Sequence, residues 1–299
     1  MAGKAYRCGF VAVVGRPNVG KSTLINTIMG RKISIVTPKP QTTRHRILGV
    51  DSHAEYQAIY IDTPGMHRKA GKAMNRLMNR TAANALVDAD LVLFVSEANR
   101  WTAEDQDVLQ RLEKTVAPVI AILNKIDKLH PREALLQALS SMAGRREFAA
   151  VIPISARQGD NVDRLCELVP RYLPESEPLF PENMFTDRSE QFRAAEVIRE
   201  KLTLALRQEV PYGLTVQIER YVHDERGLLV DAIVWVERES QKGIVVGKGG
   251  NVLKKVGRAA RLELKQQLGE SVHLEIWVKV KDNWADSEND LLRLGFESP

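Results

Sequence analysis

The stretch Gly15-Arg16-Pro17-Asn18-Val19-Gly20-Lys21-Ser22 constrains this chain more than any other. It lies between an apolar run, FVAVV, and a helical pattern, STLINTIMG, the order that builds a phosphate cradle. Gly15 and Gly20 let main-chain N–H groups turn inward around an anion, and the helix N-terminus adds positive potential. In this reading Lys21 reaches the β- and γ-phosphates, and Ser22, followed by Thr23, ligates Mg²⁺. A glycine turn that merely precedes a helix would not need the lysine and serine at this spacing.

The rest of the first 173 residues alternates β-like runs (YQAIYID, LVLFVS, PVIAILN, AVIPIS) with helical patterns such as NRLMNRTAANALVD and EDQDVLQRLEK. Such alternation predicts an α/β domain, a mostly parallel sheet with helices on both faces. Segment 174–187, PESEPLFPENMFTD, has three prolines, four acidic residues and no sustained period. The domains are therefore read as 1–175, a linker at 176–188, and 189–299. The second reads α-β-β-α-α-β: a helix over about 189–209, strands near 214–222 and 228–237, two helical segments around Gly247–Gly250, and the strand SVHLEIWVKVK.

The base is read from NKID, Asn124 to Asp127, which follows the strand PVIAIL at the sheet edge where nucleotides bind. A carboxylate at Asp127 accepts the N1–H and 2-amino protons of guanine, and adenine offers neither. Asn124 is expected to bond the base edge and brace the P-loop, and the Lys125 stem to cover the ring. In ISARQG, Ser155 orients Asp127, the Ala156 N–H faces guanine O6, and Arg157 lies beside them. In IDTPGM, Asp62 holds Mg²⁺ through water, the Gly65 N–H senses the γ-phosphate, and Thr63 and Pro64 are counted with them as nucleotide-binding. Within Gln41-Thr42-Thr43-Arg44-His45, either threonine can close on Mg²⁺, and Thr43 is favoured because it abuts Arg44. Lys21, Thr43 and Gly65 are the candidate catalytic groups. Met66 stands where a glutamine would orient water, so intrinsic hydrolysis is expected to be slow, and His67 reads as solvent-exposed. Asn18 is a candidate ligand for K⁺ beside the phosphates.

The net charge of +5 hints at an anionic partner, yet residues 181–299 hold 18 Lys and Arg against 20 Asp and Glu. The positive charge is local: Lys242, Lys248, Lys254, Lys255, Arg258, Arg261 and Lys265 face one acid, Glu263. They surround Gly247-Lys248-Gly249-Gly250, a GXXG loop between helices, whose outer glycines allow a nucleic-acid phosphate to approach. Lys254, Lys255 and Arg258 extend that site. In the last strand Trp277 shares a face with two lysines, but packing against a neighbour explains it better than base stacking, and it is left out of the site. Two cysteines, Cys8 and Cys166, are too few for a disulfide framework or zinc site, which fits a reducing compartment. No run is long enough for a bilayer span and no signal peptide is read.

With GRPNVGKST, QTTRHRI, DTPGMH, NKID, ISARQG and the distal GKGG in this order, the sequence resembles the bacterial Era-type GTPases over nearly its whole length. FTDRSEQF, VKVKDNW and LLRLGF also look like that family. The resemblance implies a Ras-like G domain followed by an α+β type II KH domain, with GTP or GDP and Mg²⁺ bound. It further implies binding near the 3′ end of 16S rRNA, a role in assembling the 30S subunit, and partial peripheral association at the inner membrane; a monomer in the cytoplasm is expected beside it. Its GXXG interior varies, and an apolar residue after DTPG is kept.

Overall fold

The structure, a computed structural model, describes residues 5–65, 73–131, 133–206, 210–225 and 227–296. Met66 and His67 lie outside them. The chain forms two compact units, a larger one built largely of residues up to Asp187 and a second built largely of residues from Arg188.

In the larger unit the described strands are β1 (Arg7–Val14), β2 (Ile47–Ser52), β3 (Tyr56–Asp62), β4 (Leu91–Glu97), β5 (Val119–Asn124) and β6 (Ala150–Pro153), joined in one sheet ordered β2-β3-β1-β4-β5-β6. All pairings are parallel except β2 with β3. The helices are α1 (Lys21–Ile28), α2 (Ala73–Val87), α3 (Ala103–Leu112), α4 (Ala134–Ala143) and α5 (Val162–Leu168). Period-2 alternation divides β1 between two cores. Val11 and Val13 pack with Leu24 and Ile25 of α1 and Leu165 of α5, while Ala12 and Val14 pack with Ala82 of α2 and Val108 and Leu112 of α3. Covering both faces is what makes these strands read as continuous apolar runs.

The edge strand β2 is not legible among the apolar runs, because ILGVDS mixes glycine, aspartate and serine into its short apolar stretch. The proline-rich stretch after residue 173 is tied along the same edge. Gln57 of β3 is fully buried; its Oε1 accepts from the Leu179 and Phe180 N–H groups at 2.9 Å each, and its Nε2 donates to Phe180 O at 2.8 Å. Further along, Val50 N donates to Phe185 O at 3.0 Å and Leu48 N to Asp187 Oδ1 at 2.9 Å.

The second unit is α6 (Glu190–Ala205), β7 (Leu214–Asp224), β8 (Gly227–Val236), α7 (Glu239–Val246), α8 (Asn251–Leu268) and β9 (Val272–Val280), then α9 (Glu288–Arg293). The first six follow the α-β-β-α-α-β order read from the sequence. β7 and β8 form an antiparallel pair, and β9 adds to β8 in parallel. Val256, Ala260 and Leu264 put one face of α8 into a core with Val197, Ile198 and Leu202 of α6 and the inward residues of the sheet.

Candidate functional site

The turn after β1 closes on itself. Lys21 is only 6% exposed and its Nζ donates to the carbonyls of Gly15 and Arg16 at 3.0 and 3.1 Å. Burial pulls its ammonium down to about 8. Gly20 caps α1 in the left-handed region, φ +103°, and a Cβ there would fall 2.3 Å from Asn124 Nδ2. The first turn of α1 carries no acid, which leaves its N–H groups and dipole to an anion. A cavity of about 480 Å³ opens here, lined among others by Asn18, Lys21, Ser22, Thr43, Lys125 and Arg157.

Three oxygens converge beside the turn. Ser22 Oγ donates to Asp62 Oδ2 at 2.8 Å and lies 2.8 Å from Thr43 Oγ1, which itself stands 3.4 Å from Asp62 Oδ2. Asp62 is wholly buried, and burial pushes its carboxyl up from the ordinary value. Its other oxygen, Oδ1, is buried with no hydrogen-bond partner. An all-oxygen set with an orphaned carboxylate oxygen suits a hard divalent cation such as Mg²⁺. Thr42 is turned elsewhere: its Oγ1 lies 2.6 Å from Thr37 Oγ1 and donates to Lys39 O at 2.7 Å. Asn18 Nδ2 donates to Pro38 O at 3.0 Å, joining the P-loop to the segment that carries Thr43. Gln41, left-handed at φ +59°, reaches Asn75 at 3.3 Å; Arg44 is buried and His45 partly so. Thr63 Oγ1 donates to Val13 O at 2.9 Å, and a Cβ on Gly65 would fall 2.8 Å from Pro17, so the two turns are in close apposition.

The base loop is wired to the P-loop. Asn124 Nδ2 donates to Val19 O at 2.8 Å, while its Oδ1 accepts from Lys125 N at 2.7 Å and Ala156 N at 3.0 Å. The Ala156 N–H, which the sequence reading turned toward guanine O6, is thus engaged by Asn124. Ser155 Oγ donates to Asp127 Oδ1 at 2.7 Å. Lys125 Nζ donates to Asn18 O at 2.6 Å.

Two acids escaped the sequence reading. Arg16 turns its guanidinium away from the cavity, donating from Nε to Asp105 Oδ2 at 3.0 Å and from Nη2 to Glu97 Oε2 at 2.9 Å. The Lys125 ammonium pairs with Glu97 Oε1. Burial disfavours the Glu97 carboxylate, yet the bonds from Lys125 and Arg16 hold its carboxyl below the usual range. Asp105 also closes a capping box with Thr102 at the start of α3. The T-x-x-D spacing of that box was the one available signal.

In the second unit Gly247, Gly249 and Gly250 all have positive φ, at +72°, +60° and +77°. A Cβ on Gly247 would fall 2.5 Å from Val252 Cγ2, whereas nothing lies within 4 Å of one on Gly249. The loop therefore packs at Gly247 and is open outward at Gly249, with Lys248 exposed. Lys254, Lys255 and Arg258 are exposed on α8, whose first turn has no acid. Trp277 is 44% exposed on β9, beside Ile233 of β8. Among the described residues no helix is long and apolar enough to cross a membrane.

The chain resembles known proteins over nearly its whole length. Residues 10–125 match the family described as 50S ribosome-binding GTPase, and residues 209–285 match the KH domain. The chain is 50% identical to GTPase Era of Marinobacter nauticus over 289 residues, covering 97% of this chain and 95% of that one. It is 48% identical to GTPase Era of Yersinia pestis over 98% of its length and 97% of that protein's. The structure of Aquifex aeolicus Era bound to GDP·AlF4⁻ superposes with a TM-score of 0.92 at 40% identity, over 97% of this chain and 99% of that one. A structure of Era with MgGDPNP and nucleotides 1506–1542 of 16S ribosomal RNA gives a TM-score of 0.93 at 40% identity and the same coverage. The chain belongs to the Era GTPase family, P-loop GTP hydrolases that carry a KH domain behind the G domain.

Proposed function

We propose that this protein is a GTP-driven switch that binds single-stranded RNA at the 3′ end of 16S rRNA through its KH domain and acts in assembly of the 30S subunit. The observation that carries the reading is the pairing, in one chain, of a phosphate cradle bearing converging oxygens with a glycine loop open to a phosphate backbone at Gly249. That a relative has been solved with MgGDPNP and nucleotides 1506–1542 of 16S rRNA supports the same RNA here.

Within the G domain, Ser22, Thr43 and, through water, Asp62 would hold Mg²⁺, which neutralises charge developing on the transferred phosphoryl group. This chain's own groups do the rest. Lys21 gives up its two carbonyl partners for the β- and γ-phosphates, the Gly65 N–H reads the γ-phosphate, and Asp127 reads guanine while Ser155 fixes its orientation. Loss of the γ-phosphate frees Thr43 and Gly65, which resets the switch. Asn18 is the candidate for K⁺; its amide already meets Pro38 on the switch segment, so an ion there would act on both loops. The protein works as a monomer in the cytoplasm, and its contact with the inner membrane face is peripheral.

The test is a titration of an oligonucleotide matching the 3′ end of 16S rRNA against protein loaded with GDP or a non-hydrolysable GTP analogue. A tenfold preference of the GTP state, about 1.4 kcal/mol of coupling, supports the switch. Equal binding in both states removes the switch, and no binding removes the RNA assignment.

A further inference from the structure

Between the phosphate loop and the base loop stands a carboxylate that belongs to neither motif. Glu97 is the last residue of β4, in register with Asn124 of β5. One of its oxygens accepts from Arg16 Nη2 at 2.9 Å and the other pairs with the Lys125 ammonium. A single, mostly buried acid is thus shared by a cation from each loop. Behind Arg16, Asp105 accepts a hydrogen bond from Nε–H and is itself held by Thr102.

Lys125 needs such a restraint. It sits in the left-handed region at φ +64°, a sparsely populated conformation for a lysine. Its long stem has many rotamers, and to cover a purine it must keep one of them. Two acceptors on opposite loops, Glu97 Oε1 and Asn18 O, fix its end. An exposed ion pair at a strand end would contribute little, but this one is shielded and has two partners.

We propose that Glu97 is a positioning residue for nucleotide binding, holding the Lys125 stem over the base site and Arg16 against the phosphate loop so that the two loops keep one fixed separation. This rests on the assignment of Asn124, Lys125 and Asp127 to the guanine.

The experiment uses full-length Glu97→Gln, with release of fluorescent GDP and a fluorescent GTP analogue followed by stopped flow, and with KM and kcat for GTP. Release of both nucleotides is expected to speed about tenfold, with KM rising by a similar factor and kcat changing less than twofold, because the γ-phosphate groups are untouched. Lys125→Met should show the same increase, and the double variant should release no faster than the faster single one. If Glu97→Gln is insoluble, Lys125→Met removes the same pair from its other side, and a release rate within twofold of the parent overturns the proposal. So does unchanged release in Glu97→Gln, or factors that multiply in the double variant. Asp127→Asn in the same assays separates the two layers. If it leaves the preference for guanine over xanthine nucleotides intact, the base-loop assignment fails. If it inverts that preference while Glu97→Gln changes nothing, only the positioning role falls.

Discussion

Lys125 Nζ donates to the main-chain carbonyl of Asn18 at 2.6 Å, and both residues sit left-handed at φ +64°. Two loops more than a hundred residues apart are thereby joined at their most constrained positions. Strain of about 1–3 kcal/mol at each such residue persists only where neighbours over-determine it. Asn124 supplies much of that constraint, since its amide serves Val19, Lys125 and Ala156 at once.

Asn124→Ala removes two buried bonds and one partly buried one, and leaves two main-chain N–H groups and a carbonyl without their partner. Stability of the nucleotide-free protein should fall by about 3 kcal/mol, read by urea unfolding. Affinity for GDP, read by titration calorimetry, should fall about a hundredfold or more, since Val19 and the glycine beside it lose their support.

Thr42 and Thr43 are equivalent to a reader of the sequence and unlike in the structure. Only Thr43 faces Ser22 and Asp62, while Thr42 is occupied by Thr37 and Lys39. Thr43→Ala should lower affinity for a GTP analogue about tenfold relative to GDP when Mg²⁺ is present, roughly 1.4 kcal/mol. With EDTA that difference should disappear, and Thr42→Ala should stay within about twofold of the parent throughout.

The thiols answer a chemical test. Burial pushes the Cys166 thiol up to about 11, with Asp51 and Asp163 adding to the shift, and burial raises Cys8 as well. At pH 8 the Cys166 thiolate is then about a hundred times scarcer than in an unfolded chain whose thiol titrates near 9. Iodoacetamide should therefore modify native Cys166 at least about a hundredfold more slowly than the urea-unfolded protein. Because the folded chain keeps its proton longer, the thiol's contribution to stability is complete below pH 9 and is lost as pH rises through about 11.

The GXXG glycines separate folding from recognition. Gly249 has φ +60° and open space where a Cβ would go, and aspartate tolerates that conformation. Gly249→Asp should leave thermal stability within about 0.5 kcal/mol yet weaken RNA binding about tenfold, with the loss growing at low salt. Gly247→Ala, whose Cβ would strike Val252, should cost about 1–3 kcal/mol of stability.

The parts legible in the sequence were those whose chemistry is local. The P-loop, NKID and GXXG are contiguous, and the strands that lead into the first two, β1 and β5, are buried on both faces, so motif and strand announce each other there. Glu97 and Asp105 were hidden because their partners lie on other loops and no spacing encodes a pairing across a sheet edge. β2 was hidden because only one side of it has a strand partner and Gly49 and Asp51 break its apolar run. Trp277 shows the limit from the other side: alternation along β9 turns it away from the core, where it stands 44% exposed, but alternation does not say what that face meets. Composition also hid the role of segment 174–187, since three prolines and no period read as a spacer, while its carbonyls and N–H groups are spent on β2 and β3.

Gln57 is where that strap can be tested. Its side chain is fully buried, accepts from two main-chain N–H groups, and donates to Phe180 O and to Ser52 Oγ, the latter at 3.0 Å. No residue of another shape makes both halves of that exchange, because only an amide offers an acceptor and two donors in one plane. Gln57→Ala leaves the N–H groups of Leu179 and Phe180 buried without partners, each costing about 1–3 kcal/mol, together with a cavity the size of the lost side chain. The strap gains by detaching, since water then satisfies those groups. Gln57→Ala should therefore raise the rate of limited proteolysis within residues 176–187 about tenfold or more, with global unfolding shifted less than the sum of the lost bonds. Gln57→Glu keeps the acceptor and loses the donors, and should fall between the two. Cleavage in the alanine variant at the parent's rate would mean that the bonds of Val50, Leu48 and Ser176 and the packing of Phe180 hold the strap without Gln57.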